Sequence, residues 1–521
     1  MSIEKNFTLE SIGASSIRKT LRDKYYFYKK CLFEHSFCLR TKDLFEKAGI
    51  EPILFGGIEP EIWNQVKNRV VHSVSAIQPT FIRDSICVQM YDDTDKDLLW
   101  AYQNGAFLLI TDHKVEGLPC FVTENPTLVY AKFCRYYREL RNISVTAVTG
   151  SIGKTTLKRM VQSVYETELK TFCNVVNHNA LYHAGYFCQH IPRNYDIMIQ
   201  EVSEDTPLYT KPMSIVLKPR IVAITNITVS HIEAFGSHES IVNEVLSITD
   251  GMEPDGYVIV NMDEFHWFEL LKGKKVIKVS CEDTSADYYG HSINIAADGL
   301  HFDVSCKKEQ KCVSVHLKNI FGLHNVSLAL QAFAAGRLEN LPIPSIVKGL
   351  NDFKMTGMRQ NYFTSFNGIH VYADCFNAVS KSIGSALNAV SNIPIEGKKV
   401  AVLGDVGELG EFSDSEHMEI ARLLNEAECI TDAVIYGNKL SDACKATEFR
   451  KNLKLYFCTN HSEIISNLDK ILTKGDLVLF KGSHSCHLRD VINKMWPIEY
   501  SQINHEERAP YEKWISMVNK N

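Results

Sequence analysis

The chain has 521 residues, 45% of them hydrophobic and 23% charged, a balance typical of a globular protein, and its length suggests about three or four domains. Its net charge of -6 argues against a nucleic-acid partner, and the sequence contains no run of eighteen apolar residues that could span a membrane. The 15 cysteines are scattered without a C-x-x-C pair, which favours reduced thiols in a cytoplasmic protein.

The first block, residues 1–142, is predicted to be a small α/β domain. Its first residues lack the apolar stretch of a secretory signal, and a helical pair is predicted over about 15–48. AFLLIT (106–111) and PCFVTE (119–124) predict strands. TLVYAKFCRYYREL predicts an amphipathic helix with one face formed by Leu128, Ala131, Cys134 and Tyr137.

The second block, residues 143–353, alternates strands and helices in the way that produces a mostly parallel sheet. DIMIQEV (196–202), RIVAITNI (220–227) and GYVIVNMD (256–263) are its predicted strands. Apolar and polar residues alternate over about 275–318, which predicts antiparallel hairpins, and LHNVSLALQAFAAGRL predicts a helix.

The third block, residues 354–521, contains four predicted buried strands, namely HVYADC, KKVAVLGD, DAVIYG and DLVLFKG. Helical stretches separate them, so we expect a doubly wound, Rossmann-like sheet. The ligand sites of such a sheet lie at the carboxyl ends of its strands. The whole chain is therefore predicted to be an α/β protein of three domains.

A glycine loop opens the second block in VTAVTGSIGKTTLKRM, residues 145–160. It follows a predicted strand and precedes a helix, which is the context of an ATP-binding P-loop, although it is two residues shorter than the ordinary motif. Lys154 would reach the phosphates and Thr155 would offer a hydroxyl to Mg²⁺. The alternative is a glycine turn that precedes Lys-Thr by coincidence. The predicted nucleotide ligands here are Gly150, Ser151, Gly153, Lys154, Thr155 and Thr156.

Two further residues at strand ends are candidate metal ligands. Glu201 ends the DIMIQEV strand, and His231 follows the next strand in AITNITVSHIEAFGS. Carboxylate oxygens are ligands that Mg²⁺ prefers. Taken singly, the acid could instead cap a helix and the histidine could be an ordinary polar residue.

Seven motifs occur in an order that resembles the Mur ligase family of ATP-dependent amide-forming enzymes. They are GSIGKTT, ITNITVSHIEAFGSHESI, GLHNVSLALQAFAA, GMRQ, YADCFNAVSKS, LGDVGELGEFSDSEH and LVLFKGSHS. The likeness covers roughly residues 143–500, and the short P-loop is the family's own form. The resemblance implies that a carboxylate attacks the γ-phosphate of ATP to give an acyl phosphate, which an amine then displaces as ADP and phosphate leave.

The resemblance also implies roles for individual residues. Thr155 and Glu201 would hold Mg²⁺, and His231 would arrange a second metal or the acyl phosphate. Asn325 would contact the adenine, and Lys481 would lie near the incoming amine. From the third block, the residues that would close over the nucleotide are Arg359, Asp374 and Asn377. Lys154, His231, Arg359 and Lys481 are the predicted catalytic set, and domain closure is expected.

Ordinary alternatives exist for three of these residues. Asn325 could cap its helix, Asp374 could pair with a surface lysine, and Arg359 could be a solvated linker residue.

The sequence departs from the family in three places. Relatives carry a carbamylated lysine where this chain has Val245, so a second metal site is in doubt. Relatives have an Asn-rich stretch that ends Ile-Gly-Leu-Pro, whereas residues 174–186 read NVVNHNALYHAGY. The resemblance implies that the first block, residues 1–142, is a substrate-binding domain, but a divergent one, because the uridine-binding Asp-Ser-Arg and Asp-Gly-His of the relatives are absent from residues 71–106. The ATP-dependent reaction is thus better supported than the substrates.

Three hypotheses remain open at this point. The first is addition of D-alanyl-D-alanine to UDP-N-acetylmuramoyl-tripeptide in peptidoglycan biosynthesis. The second is a related ligase recruited to another small carboxylate and another amino acid or dipeptide, which the changes in the first block and in residues 174–186 favour. The third is a non-catalytic nucleotide-binding protein with a regulatory or scaffolding role, for which Val245 is the only support. The oligomeric state is left open.

Overall fold

The structure is a computed structural model that describes residues 39–52, 57–76, 84–90, 93–174, 178–191, 194–228 and 232–503. These residues form three α/β domains, each built on its own sheet. None of the helices described is both long and apolar enough to cross a lipid bilayer.

The first domain contains a parallel sheet with the strand order β3-β4-β5-β6 and a short antiparallel ribbon of β1 and β2. The strands are β1 Leu39–Arg40, β2 Val70–Val71, β3 Ser73–Ala76, β4 Ser85–Val88, β5 Ala106–Thr111 and β6 Cys120–Val122. The helices are Thr41–Lys47, Pro60–Val66, Asp95–Gln103 and Pro126–Glu139. Both predicted strands and the predicted amphipathic helix are present. Most of the predicted helical pair lies outside the described residues.

The helix Pro126–Glu139 buries a wider face than the sequence predicts. Ala131, Cys134 and Tyr137 are buried as expected, but Leu128 is only half-buried. The reason is that the helix packs against two helices of the central domain as well as against its own sheet, so Tyr130 and Phe133 are buried too.

The edge strand β3 is covered by one side chain of the central domain. The amide of Gln189 accepts a hydrogen bond from the backbone N–H of Val74 (3.0 Å) and donates one to the carbonyl of the same residue (2.9 Å). A neighbouring strand would make the same pair of bonds. Gln189 is 4% exposed, so the contact is part of a buried interface.

The central domain is built on nine strands in the order β15-β14-β13-β12-β11-β10-β7-β9-β8. The strands are β7 Ser144–Thr149, β8 Thr171–Cys173, β9 Ile197–Glu201, β10 Ile221–Ile224, β11 Tyr257–Asn261, β12 Lys275–Ser280, β13 Tyr288–Ala296, β14 Gly299–Cys306 and β15 Lys311–Lys318. All pairings from β8 to β13 are parallel, whereas β13, β14 and β15 form the antiparallel hairpins that the sequence predicts.

Helices cover this sheet and carry the functional loops. The α-helices are Lys154–Tyr165, Leu181–His190, Thr210–Leu217, Ile232–Phe235, His238–Leu246, His324–Leu338 and Ile343–Asn351, and two short 3-10 turns are Ser247–Thr249 and Phe268–Leu271. The helix His324–Leu338 packs on Lys154–Tyr165 and is buried almost all round, as its apolar sequence requires.

The third domain has six strands in the order β16-β17-β21-β18-β19-β20, parallel except for β16. The strands are β16 Asn361–Thr364, β17 His370–Asp374, β18 Lys399–Gly404, β19 Ile430–Tyr436, β20 Lys454–Cys458 and β21 Leu477–Lys481. The α-helices are Ser380–Asn392, Ser413–Glu426, Asn438–Ala446, His461–Ile471 and Leu488–Met495, with 3-10 turns at Gly410–Phe412 and His484–Cys486. The four predicted strands are present, and β16 and β20 are additional edge strands.

Candidate functional site

The glycine loop lies at the carboxyl end of β7, between β9 and β10 of the central sheet. Gly150 has φ of +118°, and a Cβ atom there would lie 2.7 Å from the carbonyl oxygen of Asn226, so a side chain has no room. Asn226 also fixes the loop, because its carbonyl accepts from the N–H of Ser151 (2.9 Å) and its side chain from that of Ile152 (3.0 Å). The loop is therefore held open by the segment that follows β10.

The helix that follows begins at Lys154, with Gly153 as its N-cap at φ +88°. The first N–H groups of a helix have no partner within it and carry the positive end of the helix dipole, so they are suited to bind phosphate. Thr156 is 7% exposed and lines the cleft beside this turn. The predicted ligands of the glycine loop thus lie around the N-terminus of this helix.

The Lys154 ammonium points back over the loop. It donates to the carbonyls of Gly150 (2.5 Å) and Ser151 (3.2 Å) and pairs with both carboxylate oxygens of Glu204, at 2.8 and 3.0 Å. Glu204 is fully buried. The sequence analysis did not identify Glu204. The only signal for it in the sequence is that a second acid lies three positions after Glu201.

Glu201 lies next to Thr155, as predicted. Its Oε2 accepts a hydrogen bond from the Thr155 hydroxyl (3.0 Å) and lies 2.9 Å from the Lys158 ammonium. Burial by itself would raise the pKa of Glu201, but the charges of Lys158, Arg359 and Lys154 outweigh it and lower the pKa to about 2. The carboxylate is therefore ionised at neutral pH and able to serve as an oxygen ligand.

Two asparagines of the stretch NVVNHNALYHAGY hold Glu201 in place. The Asn174 side chain accepts from the Glu201 backbone N–H (2.8 Å), and Asn179 donates to Glu201 Oε1 (3.0 Å). The sequence analysis gave a different acceptor as one explanation of the changes in this stretch and assigned no role to its asparagines. In the structure they position the candidate metal ligand.

Asp374 and Lys481 end adjacent parallel strands of the third domain and are register partners in them. The Lys481 ammonium lies 3.0 Å from Asp374 Oδ2 and donates to the carbonyl of Asn377 (2.6 Å). Lys481 is 2% exposed. The carboxyl ends of β17 and β21 thus present the predicted residues as one buried, charged group.

Arg359 lies between the two domains and is not a solvated linker residue. Its guanidinium carbon is 3.7 Å from the centre of the Phe376 ring, a cation–π contact. Its charge also contributes to the low pKa of Glu201 in the central domain. The sequence analysis did not identify Phe376, although it lies inside the quoted motif YADCFNAVSKS.

Asn325 is buried at the start of the helix His324–Leu338. Its side-chain amide donates to the carbonyl of Gly322 (2.9 Å) and to Oε1 of Gln360 (2.9 Å), and Gln360 also contacts His324 (3.0 Å). Burial lowers the pKa of His324. The Asn325 side-chain oxygen is buried and has no hydrogen-bond partner among the described residues.

Most of these groups line one open cleft between the central and third domains. The glycine loop and Lys154 form one wall, and Arg359, Asp374 and Lys481 form the other. Thr155, Glu201 and Asn325 do not line the cleft, but Thr155 lies between the lining residues Lys154 and Thr156 and contacts Glu201, and Asn325 donates to the lining residue Gln360. An ion pair of 2.8 Å between Glu264 and Lys381 joins the two sides.

Phosphate and Mg²⁺ fit this arrangement chemically. Lys154 and the first turn of its helix supply donors for an anion, and Thr155 and the ionised Glu201 supply the oxygens that a hard cation prefers. The predicted role of His231 stays a prediction, because His231 lies outside the described residues. Val245, which put a second metal site in doubt, is fully buried in the core of the central domain.

The chain matches two domain families. Residues 148–336 match the Mur ligase middle domain, and residues 358–484 match the Mur ligase glutamate ligase domain. Together these ranges contain almost every residue of the cleft.

Two similar proteins bear the name UDP-N-acetylmuramoyl-tripeptide--D-alanyl-D-alanine ligase. The one from Bacillus subtilis (strain 168) is 27% identical over 406 residues, which is 76% of this chain and 86% of that protein. The one from Escherichia coli (strain K12) is 22% identical over 401 residues, 76% of this chain and 86% of that protein.

Similar solved structures cover the first domain as well. A crystal structure of MurF from Acinetobacter baumannii superposes with a TM-score of 0.73 at 21% identity, covering 88% of this chain and 99% of that one. MurF ligase from Thermotoga maritima in complex with ADP gives a TM-score of 0.66 at 19% identity, covering 80% and 95%. The three-domain fold is therefore shared along nearly its whole length.

Proposed function

Since the chain belongs to the Mur ligase family, we propose that it is an ATP-dependent ligase that joins a carboxylate to an amine and releases ADP and phosphate. The observation that carries this proposal is the cleft in which the glycine loop of one domain faces Arg359, Asp374 and Lys481 of another. We propose domain boundaries at residues 142/143 and 353/354, which leave each sheet within one domain.

The nucleotide would lie across the interdomain cleft. Lys154 and the helix that it begins would bind the phosphates, and Thr155 with Glu201 would hold Mg²⁺, which when bound supplies charge neutralisation for phosphoryl transfer. Asn325 would accept a hydrogen bond from the adenine amine. These roles follow from the donors and acceptors present, and they agree with the roles that the family resemblance implies.

The reaction requires an anionic carboxylate to approach a polyanion, so cations must offset their repulsion. Lys154 and Arg359 lie on opposite sides of the cleft and would act on the transferring phosphoryl group. The resemblance implies that Lys481 lies near the incoming amine substrate. The contact between Lys481 and Asp374 would fix the position of the Lys481 ammonium when the two domains close.

For the substrates, we propose UDP-N-acetylmuramoyl-tripeptide and D-alanyl-D-alanine, the compounds named by the similar proteins. The segment 71–106 lacks the family's uridine-binding motifs, so other residues of the first domain would have to bind the nucleotide sugar. Another carboxylate and amine pair is the alternative that this segment favours. The changed ending of residues 174–186 also favours that alternative, whereas Asn174 and Asn179 of the same stretch contact Glu201.

We propose a cytoplasmic location, where ATP and nucleotide-linked precursors occur. The 13 described cysteines are all free thiols, which is consistent with a reducing compartment.

The test is phosphate release from ATP and Mg²⁺ with the two proposed substrates, each alone and together. We expect release only when both are present, with a product whose mass is their sum less one water. Release with a different carboxylate and amine pair would keep the ligase proposal and change the substrates. No release with any pair, from a protein that binds ATP, would contradict the ligase proposal and favour the non-catalytic alternative.

A further inference from the structure

A second group of side chains lies on the antiparallel hairpins of the central domain. Asp298 occupies the turn between β13 and β14, and His301 and His316 face each other as register partners on β14 and β15. One ligand atom from each of the three residues lies within 4.8 Å of the others. In the part of the chain that the structure describes, this is the only such group of three.

The carboxylate of Asp298 lies against both imidazoles. Oδ1 is 2.9 Å from His301 Nε2, and Oδ2 is 3.3 Å from His316 Nε2. The two rings stack with their centres 3.9 Å apart and 15° between their planes.

His316 supplies a separate indication. Its Nε2 atom is shielded from solvent and, among the described residues, has no partner at hydrogen-bonding geometry, although it faces Asp298. Buried polar atoms normally have a partner, and an unsatisfied one needs an explanation. A bound ion would satisfy it.

We infer that Asp298, His301 and His316 form a binding site for a divalent transition-metal ion of the Zn²⁺ class. Two imidazoles and one carboxylate are a ligand set that such ions accept. Ligands about 2.0–2.2 Å from a zinc ion lie no more than about 4.4 Å from each other. The stacked imidazoles would have to turn about χ2 to direct both Nε2 atoms at one ion. A water would complete a tetrahedral shell.

The position of the site indicates a structural role. The carbonyl of Asp298 accepts a hydrogen bond from the N–H of Asn319 (2.8 Å), the residue directly after β15. The chain then runs through Gly322 into the helix that carries Asn325. An ion held by the turn and both strands would fix the segment from which the candidate adenine contact begins. The site lies outside the cleft proposed for ATP, and its ion is distinct from Mg²⁺.

The experiment uses the full chain without a polyhistidine tag, freed of metal by a chelator and kept in a non-thiol reductant. Zn²⁺ is titrated by calorimetry in excess Mg²⁺, so that oxygen sites suited to Mg²⁺ are filled. We expect one Zn²⁺ per chain, and a rise in the thermal midpoint that follows its binding. His301→Ala or His316→Ala should weaken binding by at least about tenfold, since even outer-shell partners of metal ligands contribute about 10- to 100-fold.

His291→Ala and Cys312→Ser are the matched controls. These residues lie on the same hairpins, with His291 Nε2 3.7 Å from Cys312 Sγ, and could bind Zn²⁺ without the proposed site. The control variants should bind Zn²⁺ as the unchanged chain does. With Co²⁺ as the probe, the spectrum should lack a thiolate charge-transfer band. Loss of binding in the controls but not in the two histidine variants would overturn the inference, and so would the absence of one saturable site. Because all readouts are binding and stability, they are independent of ligase activity.

Discussion

Lys154 and Glu204 form an ion pair at the centre of the glycine loop, with the ammonium 2.8 Å from a carboxylate that has no exposed surface. The phosphates of ATP would require this same ammonium. Nucleotide binding therefore has to replace the carboxylate partner of Lys154 with phosphate. The free energy of nucleotide binding thus depends on Glu204 as well as on Lys154.

The first prediction concerns Lys154→Ala. Turnover should fall by at least about 10²–10³-fold, the usual effect of removing one group that stabilises transition-state charge. The substitution also leaves Glu204 buried without its cation, so the free energy of unfolding should fall by about 3–5 kcal/mol. The double variant Lys154→Ala/Glu204→Gln should recover most of that stability and none of the turnover. Phosphate release near the normal rate in the folded double variant would contradict the assignment of Lys154.

The second prediction is that Glu204→Gln binds nucleotide more tightly. The neutral amide still accepts a hydrogen bond from Lys154 but no longer competes as an anion. ADP affinity should rise by on the order of tenfold, equivalent to about 1.4 kcal/mol. Calorimetry with ADP measures the change. Glu166→Gln is the control, because Glu166 is an exposed acid at the opposite end of the same helix. Equal or weaker ADP affinity in Glu204→Gln would show that the acid does not compete for Lys154.

The third prediction concerns the stability of the protein in acid. The pKa of Glu201 is lowered from 4.5 to about 2 in the folded protein. Its ionised form thus contributes stability above pH 4.5, and that contribution is lost as the pH falls towards 2. A shift of this size corresponds to on the order of 3 kcal/mol. The free energy of unfolding should therefore decrease more steeply over this range in the unchanged chain than in Glu201→Gln. If the free energy of unfolding fell equally steeply with pH in both proteins, the lowered pKa of Glu201 would be disproved.

The fourth prediction concerns Asp374 and Lys481. Asp374→Ala leaves a buried ammonium without its carboxylate and should lower the stability of the third domain by about 3–5 kcal/mol. Asp374→Asn keeps an acceptor oxygen and should have a smaller effect. Thermal unfolding of both variants measures the difference. Asp414→Ala removes an exposed partner of Lys439 in the same domain and should leave the midpoint unchanged. If Asp374→Ala had the same thermal unfolding midpoint as the control, the predicted contribution of the Asp374–Lys481 ion pair to stability would be contradicted.

In the third domain, the sequence pattern predicts the interior strands of the sheet and misses its two edge strands for a physical reason. Interior strands such as β18 and β21 are buried on both faces and appear as continuous apolar runs. The missed strands β16 and β20 are half-exposed edges whose residues mix apolar and polar types. Each is defined by its pairing with one neighbouring strand, β17 for β16 and β19 for β20, and the residues of the strand alone do not contain that information.

The same limit applies to the candidate site. The glycine loop is local, so its residues and the role of Lys154 follow from one stretch of sequence. Lys481 and Asn377 are 104 residues apart, and the sequence analysis did not predict that they meet. Glu204 and Asn179 were missed because neither belongs to a motif with a fixed spacing. Their roles depend on which loops converge at the ends of β7 and β9.

The Gln189 side chain, which pairs with the backbone of Val74 as a strand would, has a consequence for movement during catalysis. The two hydrogen bonds and the buried surface around them link the first domain to the central domain at the edge strand β3. Separating these domains would break both bonds and leave the backbone N–H and carbonyl of Val74 without partners, which costs free energy. A carboxylate substrate bound by the first domain would therefore be kept beside the glycine loop by this contact.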